Sequence, residues 1–261
     1  MYLTRDVSTF NLENFRSVCN QVFVKQDIYV VSADPIRLEG LALPVRNLVV
    51  PVKSTWPVQI RVAYSFNVAL LLLRKRGISL EDFDYIFKVD GDVRLPEDYL
   101  YNLISQKPLA GGFGAALLMS TKFFKHILGG RYPINYCDDG YIIAYAIALS
   151  GWIANYTGKG SIEIPLVATI PEREFVYGIE YYRWGLPIPI LILLPISRIY
   201  LKITKRMKKH QVKPIRSYAY NFAGYLRAAL LNIKKYEFHR NYKIMRLWNL
   251  YYKIIGKYFK V

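Results

Sequence analysis

FDYIFKVDGDVRLPEDYL, residues 83–100, decides how this chain is read. Ile86, Phe87 and Val89 make a short apolar run with β-branched and aromatic character, the pattern of a buried strand. The run ends on Asp90-Gly91-Asp92, two carboxylates separated by a residue without a side chain. In an open α/β sheet, ligands bind beyond the carboxyl ends of the strands, so a site is expected here. Pro96 stands where a helix can begin, with Glu97 and Asp98 in a first turn whose dipole favours negative charge.

Carboxylate oxygens suit a hard cation, Mg2+ or Mn2+, and the glycine lets the backbone come close to a bound phosphate. Such a cation would neutralise a diphosphate and stabilise it as a leaving group. An Asp-x-Asp tripeptide is common by chance, and a polar turn after a core strand looks the same. The rest of the chain has to decide.

Upstream, residues 9–22 have helical spacing, with Phe10, Phe15, Val18 and Val22 roughly on one face. Met1–Thr4 is expected to be only the end of a strand. Residues 27–33 read as a second strand, broken by Asp34-Pro35, and residues 48–52 as a short third. Residues 60–77 form an apolar helix stopped by Lys75, Arg76 and Gly77. This alternation predicts a mainly parallel sheet with helices on its faces.

Downstream, Gly111-Gly112 suggests a close backbone approach or a bend, and residues 116–120 another buried strand. Residues 121–128 look helical. Asp138-Asp139 opens an apolar helix over 141–150 that ends at Gly151, and one of the two carboxylates can serve simply as its N-cap.

The 261 residues suffice for one large domain, or for one domain with a sizeable extension. A hydrophobic content of 53% is too high for a disordered chain and too low for a polytopic membrane protein. The net charge of +17 is uneven. Residues 1–197 carry 19 Lys and Arg against 18 Asp and Glu, whereas residues 198–261 carry 17 against one acid, Glu237. A neutral body and a polycationic tail mark two parts, expected at 1–185 and 186–261. Cys19 and Cys137 make no disulfide framework, which points to a reducing compartment. The first residues lack a basic segment followed by an apolar core, so no secretory signal is expected.

The tail opens with LPIPILILLPI, residues 186–196, eleven uncharged residues of which eight are Leu or Ile. That is short of the roughly 20 apolar residues needed to span a bilayer, so an interfacial dip or a buried segment is expected. A cationic run, KITKRMKKHQVK (202–213), follows. Residues 217–236 and 242–259 then place aromatic and aliphatic residues at helical spacing among lysines and arginines. Helices of this composition lie in membrane interfaces. Basic residues interleaved with aromatics also bind nucleic acid, but no nucleic-acid motif accompanies them, and the apolar run favours an anionic membrane surface.

With these pieces in order, the chain resembles the family 2 inverting nucleotide-sugar glycosyltransferases, which have the GT-A fold, over roughly residues 4–185. The resemblance rests on Arg61, Ala63 and Asn67 in the helix, Asp90-Gly91-Asp92, Gly111-Gly112, Asp138-Asp139 and Gly151-Trp152, with Asp139 lying 49 residues beyond Asp90. It implies a GT-A (Rossmann-like) catalytic domain followed by a basic, aromatic-rich helical extension. Asp90 would hold the ribose or base side of a UDP- or GDP-sugar. Asp34, Arg61 and Asn67 would also line the donor site, and Asp92 would ligate the divalent metal. Asp139 would be the general base that takes the acceptor's proton, with Asp138 orienting acceptor or base. Tyr182-Arg183-Trp184-Gly185 resembles a segment that closes over diphosphate or acceptor. The acceptor would be a lipid-linked or cell-envelope glycan, and the enzyme would sit peripherally on the inner, cytoplasmic face of the membrane. The competing expectation is a non-catalytic module, binding membrane or nucleic acid, that keeps a degenerate GT-A body.

Overall fold

The computed structural model describes residues 1–37, 45–135, 137–164, 170–203 and 215–258. Residues 204–213 of the cationic run lie outside them. The chain forms two compact units, Met1–Ile143 with Ile153–Pro165, and Ala144–Trp152 with Leu166–Val261.

In the first unit, chain order runs β1 (Tyr2–Leu3), α1 (Leu12–Cys19), β2 (Ile28–Ser32), β3 (Val45–Val49), α2 (Val58–Lys75) and β4 (Tyr85–Asp90). Then come α3 (Tyr99–Ile104), β5 (Ala110–Phe113), β6 (Ala116–Ser120) and the start of α4 (Asp138–Ser150). The six strands are ordered β3-β2-β1-β4-β6-β5. The first four are parallel, and β6 runs antiparallel to both β4 and β5. The sheet is therefore mixed, and the expected parallel arrangement holds for one part of it. Gly111-Gly112 is no bend but part of the outer strand of a hairpin. The short side chains are required there: a Cβ on Gly111 would come within 2.7 Å of the Ala154 Cβ, and Gly112 has φ +87° with its Cβ direction aimed at the Ala116 carbonyl.

Two residues of β1 suffice because they lie in the middle of the sheet. Tyr2 and Leu3 pair with Val30 and Val31 on one side and with Val89 and Asp90 on the other. The Tyr2 ring is fully buried and meets Phe15 edge-on at 5.0 Å. Burying such a ring contributes roughly 1.5–3 kcal/mol. Tyr2, Phe15, Val30, Val89, Tyr99 and Leu118 share one core.

Element ends differ from the sequence expectations for local reasons. Asn11 caps α1, its Oδ1 accepting from the Asn14 amide at 3.0 Å, so the helix begins at residue 12. The third strand lies three residues earlier than expected. Pro96 precedes a turn, and α3 begins only at Tyr99. The expected helix at 121–128 contains a π-helical turn over Phe123–Ile127.

The second unit contains α5 (Pro171–Trp184), α6 (Ile188–Ile203), α7 (Ile215–Leu230) and α8 (His239–Tyr258). The expected helix at 242–259 corresponds to α8; the one at 217–236 is α7, which ends six residues early because Asn232, at φ +46°, closes it; and the apolar 186–196 run is the start of α6. Among the described residues no helix is long and apolar enough to cross a membrane. The closest packing is between α5 and α7, where Gly178 faces the Asn221 carbonyl and Gly224 faces the Phe175 carbonyl with no room for a Cβ. Two polar groups are buried with it. Glu174 accepts from Asn221 Nδ2 at 2.9 Å, and Glu180 accepts from Arg183 at 2.9 Å and from the Tyr236 hydroxyl at 2.8 Å.

Gly178→Ala and Gly224→Ala should each destabilise the chain by about 1–3 kcal/mol, because neither backbone can yield without parting the helices. Thermal unfolding followed by circular dichroism measures this; an unchanged midpoint would show that α5 and α7 do not pack this closely.

Candidate functional site

Strand β4 ends in the site. Lys88 and Asp90 are two residues apart and so project from the same face of the strand. The Lys88 side chain is fully buried, and its Nζ lies 2.8 Å from Asp90 Oδ1 and 3.3 Å from both carboxylate oxygens of Asp139. It also donates to the Gly114 carbonyl, at 2.8 Å, in the β5–β6 turn. That turn comes so close that a Cβ on Gly114 would meet Asp139 Oδ2 at 2.9 Å. Tyr132, buried, donates its hydroxyl to Asp139 Oδ1. Tyr132 is itself held by Asn67, whose Nδ2 donates to its carbonyl at 2.8 Å and whose Oδ1 accepts from its amide at 2.7 Å.

Asp138, buried at the first turn of α4, accepts from the Asp139 amide at 2.9 Å through Oδ1, while its Oδ2 has no hydrogen-bond partner among the described residues. Burial pushes its carboxyl up to about 8, the Asp139 charge pushes the same way, and Lys88 opposes both. Asp90 is raised to about 6, first by burial and then by Asp139, against the pull of Lys88. Burial disfavours the Lys88 ammonium, but Asp139 and Asp90 outweigh it and hold the lysine protonated.

Beyond Asp90 the chain turns tightly. The Gly91 amide donates to the Leu3 carbonyl at 2.7 Å, and a Cβ on Gly91 would lie 3.0 Å from that same oxygen. The Gly91 carbonyl accepts from the Tyr2 hydroxyl at 2.7 Å and from Asn14 Nδ2 at 3.2 Å. The glycine here serves the close passage of β1 past the turn.

A cavity of about 290 Å³ opens at the carboxyl ends of β1, β2 and β4, lined by Arg5, Ala33, Arg61, Ser65, Asp90 and Asp92 among others. The sheet order places it where the chain changes direction: β2 and β3 build outward on one side of β1, and β4 on the other. Such switch points are where open α/β sheets bind ligands. Arg61 Nε is buried and without a hydrogen-bond partner among the described residues, a donor available to an anion.

Of the expected site residues, the structure brings Arg61, Asp90 and Asp92 to one cavity, joins Asp90 to Asp139 through Lys88, and holds Asp138 on the Asp139 amide. Asp34 is exposed and does not line that cavity; its carbonyl accepts from Ser32 Oγ at 2.6 Å. Asn67 is turned to Tyr132. Arg183 and Trp184 belong to the second unit, where Arg183 pairs with Glu180 and lies 4.1 Å over the Tyr236 ring, and Trp184 is buried beside Tyr181 and Tyr242.

The cavity offers a divalent cation the carboxylates of Asp90 and Asp92. Among the described residues no three His, Cys, Asp or Glu side chains cluster to hold a metal by themselves. Asp92 is exposed, shares the cavity with Asp90, and has no ion-pair partner among the described residues. That set fits an ion of the magnesium type, which takes one or two carboxylates and fills its shell with phosphate oxygens and water.

Sequence reasoning missed Lys88, Tyr132 and Arg5. A lysine inside the apolar run IFKV was the available signal for the first, since an unpaired charge is not tolerated in a core strand.

Lys88→Met should cost about 3–5 kcal/mol at alkaline pH by stranding two carboxylates, and the deficit should shrink as the pH is lowered toward about 6, because Asp90 without Lys88 takes up its proton at a higher pH than in the parent. Urea unfolding across that range measures it; a deficit independent of pH would mean lost packing alone. Asp138 gives the opposite sign. Its folded value of about 8 lies above the ordinary 3.8, so between these the folded chain keeps a proton that the unfolded chain releases, and stability falls as pH rises. Asp138→Asn should match the parent below pH 3.8 and exceed it by about 2 kcal/mol or more at pH 8. Equal stabilities at both ends would show that Asp138 ionises normally.

No family model matches this chain, and no curated protein does. Among solved structures, it is similar to the mannosyltransferase PcManGT from Pyrobaculum calidifontis in complex with GDP-Man and Mn2+, at 12% identity over 100% of this chain and 86% of that one, with a TM-score of 0.43.

Proposed function

We propose that this chain is a GT-A glycosyltransferase of the family 2 type, moving a sugar with inversion from a nucleotide-sugar donor to an acceptor hydroxyl. One observation carries the reading: the switch-point cavity gathers Arg61, Asp90 and Asp92, and Lys88 ties Asp90 to Asp139 beside it. In this reading Arg5 and Arg61 face the diphosphate, and Asp90 faces the nucleoside. Asp92, with Asp90 beside it, would hold a divalent metal, which supplies neutralisation of the departing diphosphate.

Asp139 takes the proton from the acceptor hydroxyl as that oxygen attacks the anomeric carbon. Tyr132 and Lys88 fix its orientation, and Asp138, protonated, adds no second negative charge. The exposed apolar residues of α6, α7 and α8 and the 17 basic side chains against one acid in residues 198–261 support a peripheral position on the inner face of a membrane and a lipid-linked or cell-envelope acceptor.

Calorimetric titration with UDP and with GDP, each with and without Mn2+, tests the donor site. One nucleotide should bind in a metal-dependent way, and Asp92→Ala should weaken that binding roughly tenfold or more. Asp139→Asn should keep donor binding while turnover falls about 10²–10⁴-fold. Binding of neither nucleotide would leave the non-catalytic module as the better reading.

A further inference from the structure

We infer that the turn after α7 is a membrane-insertion tip for an anionic lipid surface, built from Leu230 and Leu231 inside a collar of Arg227, Lys234 and Lys235. The inference rests on the peripheral-membrane part of the reading above and is independent of sugar transfer.

Leu230 is 86% exposed and Leu231 63%. Their exposure comes from a built turn. The Ile233 amide donates to the Ala228 carbonyl at 3.0 Å and the Asn232 amide to Ala229 at 3.1 Å, with Asn232 in the left-handed region at φ +46°. This is the Schellman closure of a helix end. Beyond it the chain is fastened to α5: the Tyr236 amide donates to the Arg183 carbonyl at 2.9 Å, Arg183 stacks on Tyr236, and Lys235 lies 4.6 Å over the Tyr182 ring. The two leucines are thus held out on a fixed support.

Along α7, Phe222, Leu226 and Leu230 recur every four residues on one stripe, with exposures of 39%, 42% and 86% that rise toward the tip. Arg227, Lys234 and Lys235, which flank the two leucines in sequence, are exposed, Arg227 lying 5.9 Å over the Phe175 ring of α5, and Glu237 is the one acid of residues 198–261. Charge complementarity selects the occupant. Near an anionic bilayer the apolar tip enters the acyl boundary while each cation near the surface adds favourable attraction. A second copy would bring two such collars together and repel. A single-stranded nucleic acid needs aromatic faces for base stacking, and this tip offers aliphatic ones.

The test is flotation of the full chain with vesicles of phosphatidylcholine alone and of equal parts phosphatidylcholine and phosphatidylglycerol. The parent should float with the mixed vesicles and lose that binding at high salt. The double variant Leu230→Asp with Leu231→Asp should lose it roughly tenfold or more, and Leu230→Trp with Leu231→Trp should retain it. Unfolding midpoints of both variants should match the parent, since neither side chain is buried.

Flotation of the aspartate variant like the parent would overturn the inference. So would failure of the parent to bind mixed vesicles, whether or not it forms a dimer that the aspartate variant dissociates or binds RNA in their place. Nucleotide titration on the same samples separates the two proposals: vesicle binding without nucleotide binding leaves the tip standing and removes the transferase.

Discussion

One ammonium group inside the sheet governs the geometry of everything that could be chemistry here. Lys88 Nζ touches Asp90 at the end of β4, Asp139 at the start of α4 and the Gly114 carbonyl in the β5–β6 turn, so three separate segments converge on a single charge. A buried lysine without partners would lose its proton or unfold the site, and buried carboxylates without a cation would take up protons or do likewise. Together they are stable in one arrangement. Three carboxylates against one lysine still leave an excess of negative charge, and the proton kept by Asp138 removes part of it. The cluster that results carries one cation and two carboxylates, and the carboxylates point different ways: Asp90 toward the switch-point cavity, Asp139 toward Tyr132.

The second constraint is the placing of β1. A two-residue strand at the edge of a sheet would contribute little, but between β2 and β4 it is paired on both sides, and its carboxyl end forms the floor of the cavity. Tyr2 does two jobs from that position, filling the core with its ring and clamping the Gly91 carbonyl with its hydroxyl. The turn Asp90-Gly91-Asp92 is therefore shaped by the residues at the very start of the chain. The close approach of Leu3 favours a glycine at position 91 whether or not a phosphate ever binds.

How far the sequence could be read follows from which signals are local. β2, α2, β4, β6, α4, α7 and α8 announce themselves by periodicity and by stop residues, and the strand end at Asp90 marks the site. Pairing direction is not local. Residues 110–113 contain two glycines, which have little strand preference, and they become β5 only because β6 folds back beside them and Ala154 crosses them closely. The same holds for the site. Asp90, Asp92 and Arg61 come from segments whose order in an α/β sheet leads them to one end. Asn67 shares a helix with Arg61 but faces Tyr132, because six residues along a helix are well short of two full turns. Tyr132, in a loop with no periodicity, had no signal that would connect it to Asp139.

The second unit shows why composition and fold can seem to conflict. Helix α5 has five charged residues among its fourteen and reads as a solvated surface helix, yet Glu174 and Glu180 are buried in its packing. Each is satisfied by a neighbour that a sequence does not place beside it, Asn221 from α7 for the one and Tyr236 beyond the tip for the other. The close crossing permitted by Gly178 and Gly224 brings those partners within reach. Paired polar groups thus share the inside of this unit with Trp184, Ile190, Tyr225 and Phe238, while other apolar side chains stand outside: Ile188, Ile192 and Ile196 on α6, Phe222, Leu226 and Leu230 on α7, and Ile244, Leu247 and Tyr251 on α8 are all exposed. Scattered exposed leucines need no explanation, but stripes at helical spacing on three successive helices do. Such stripes, with basic residues between them, are the observation on which the proposed membrane association rests.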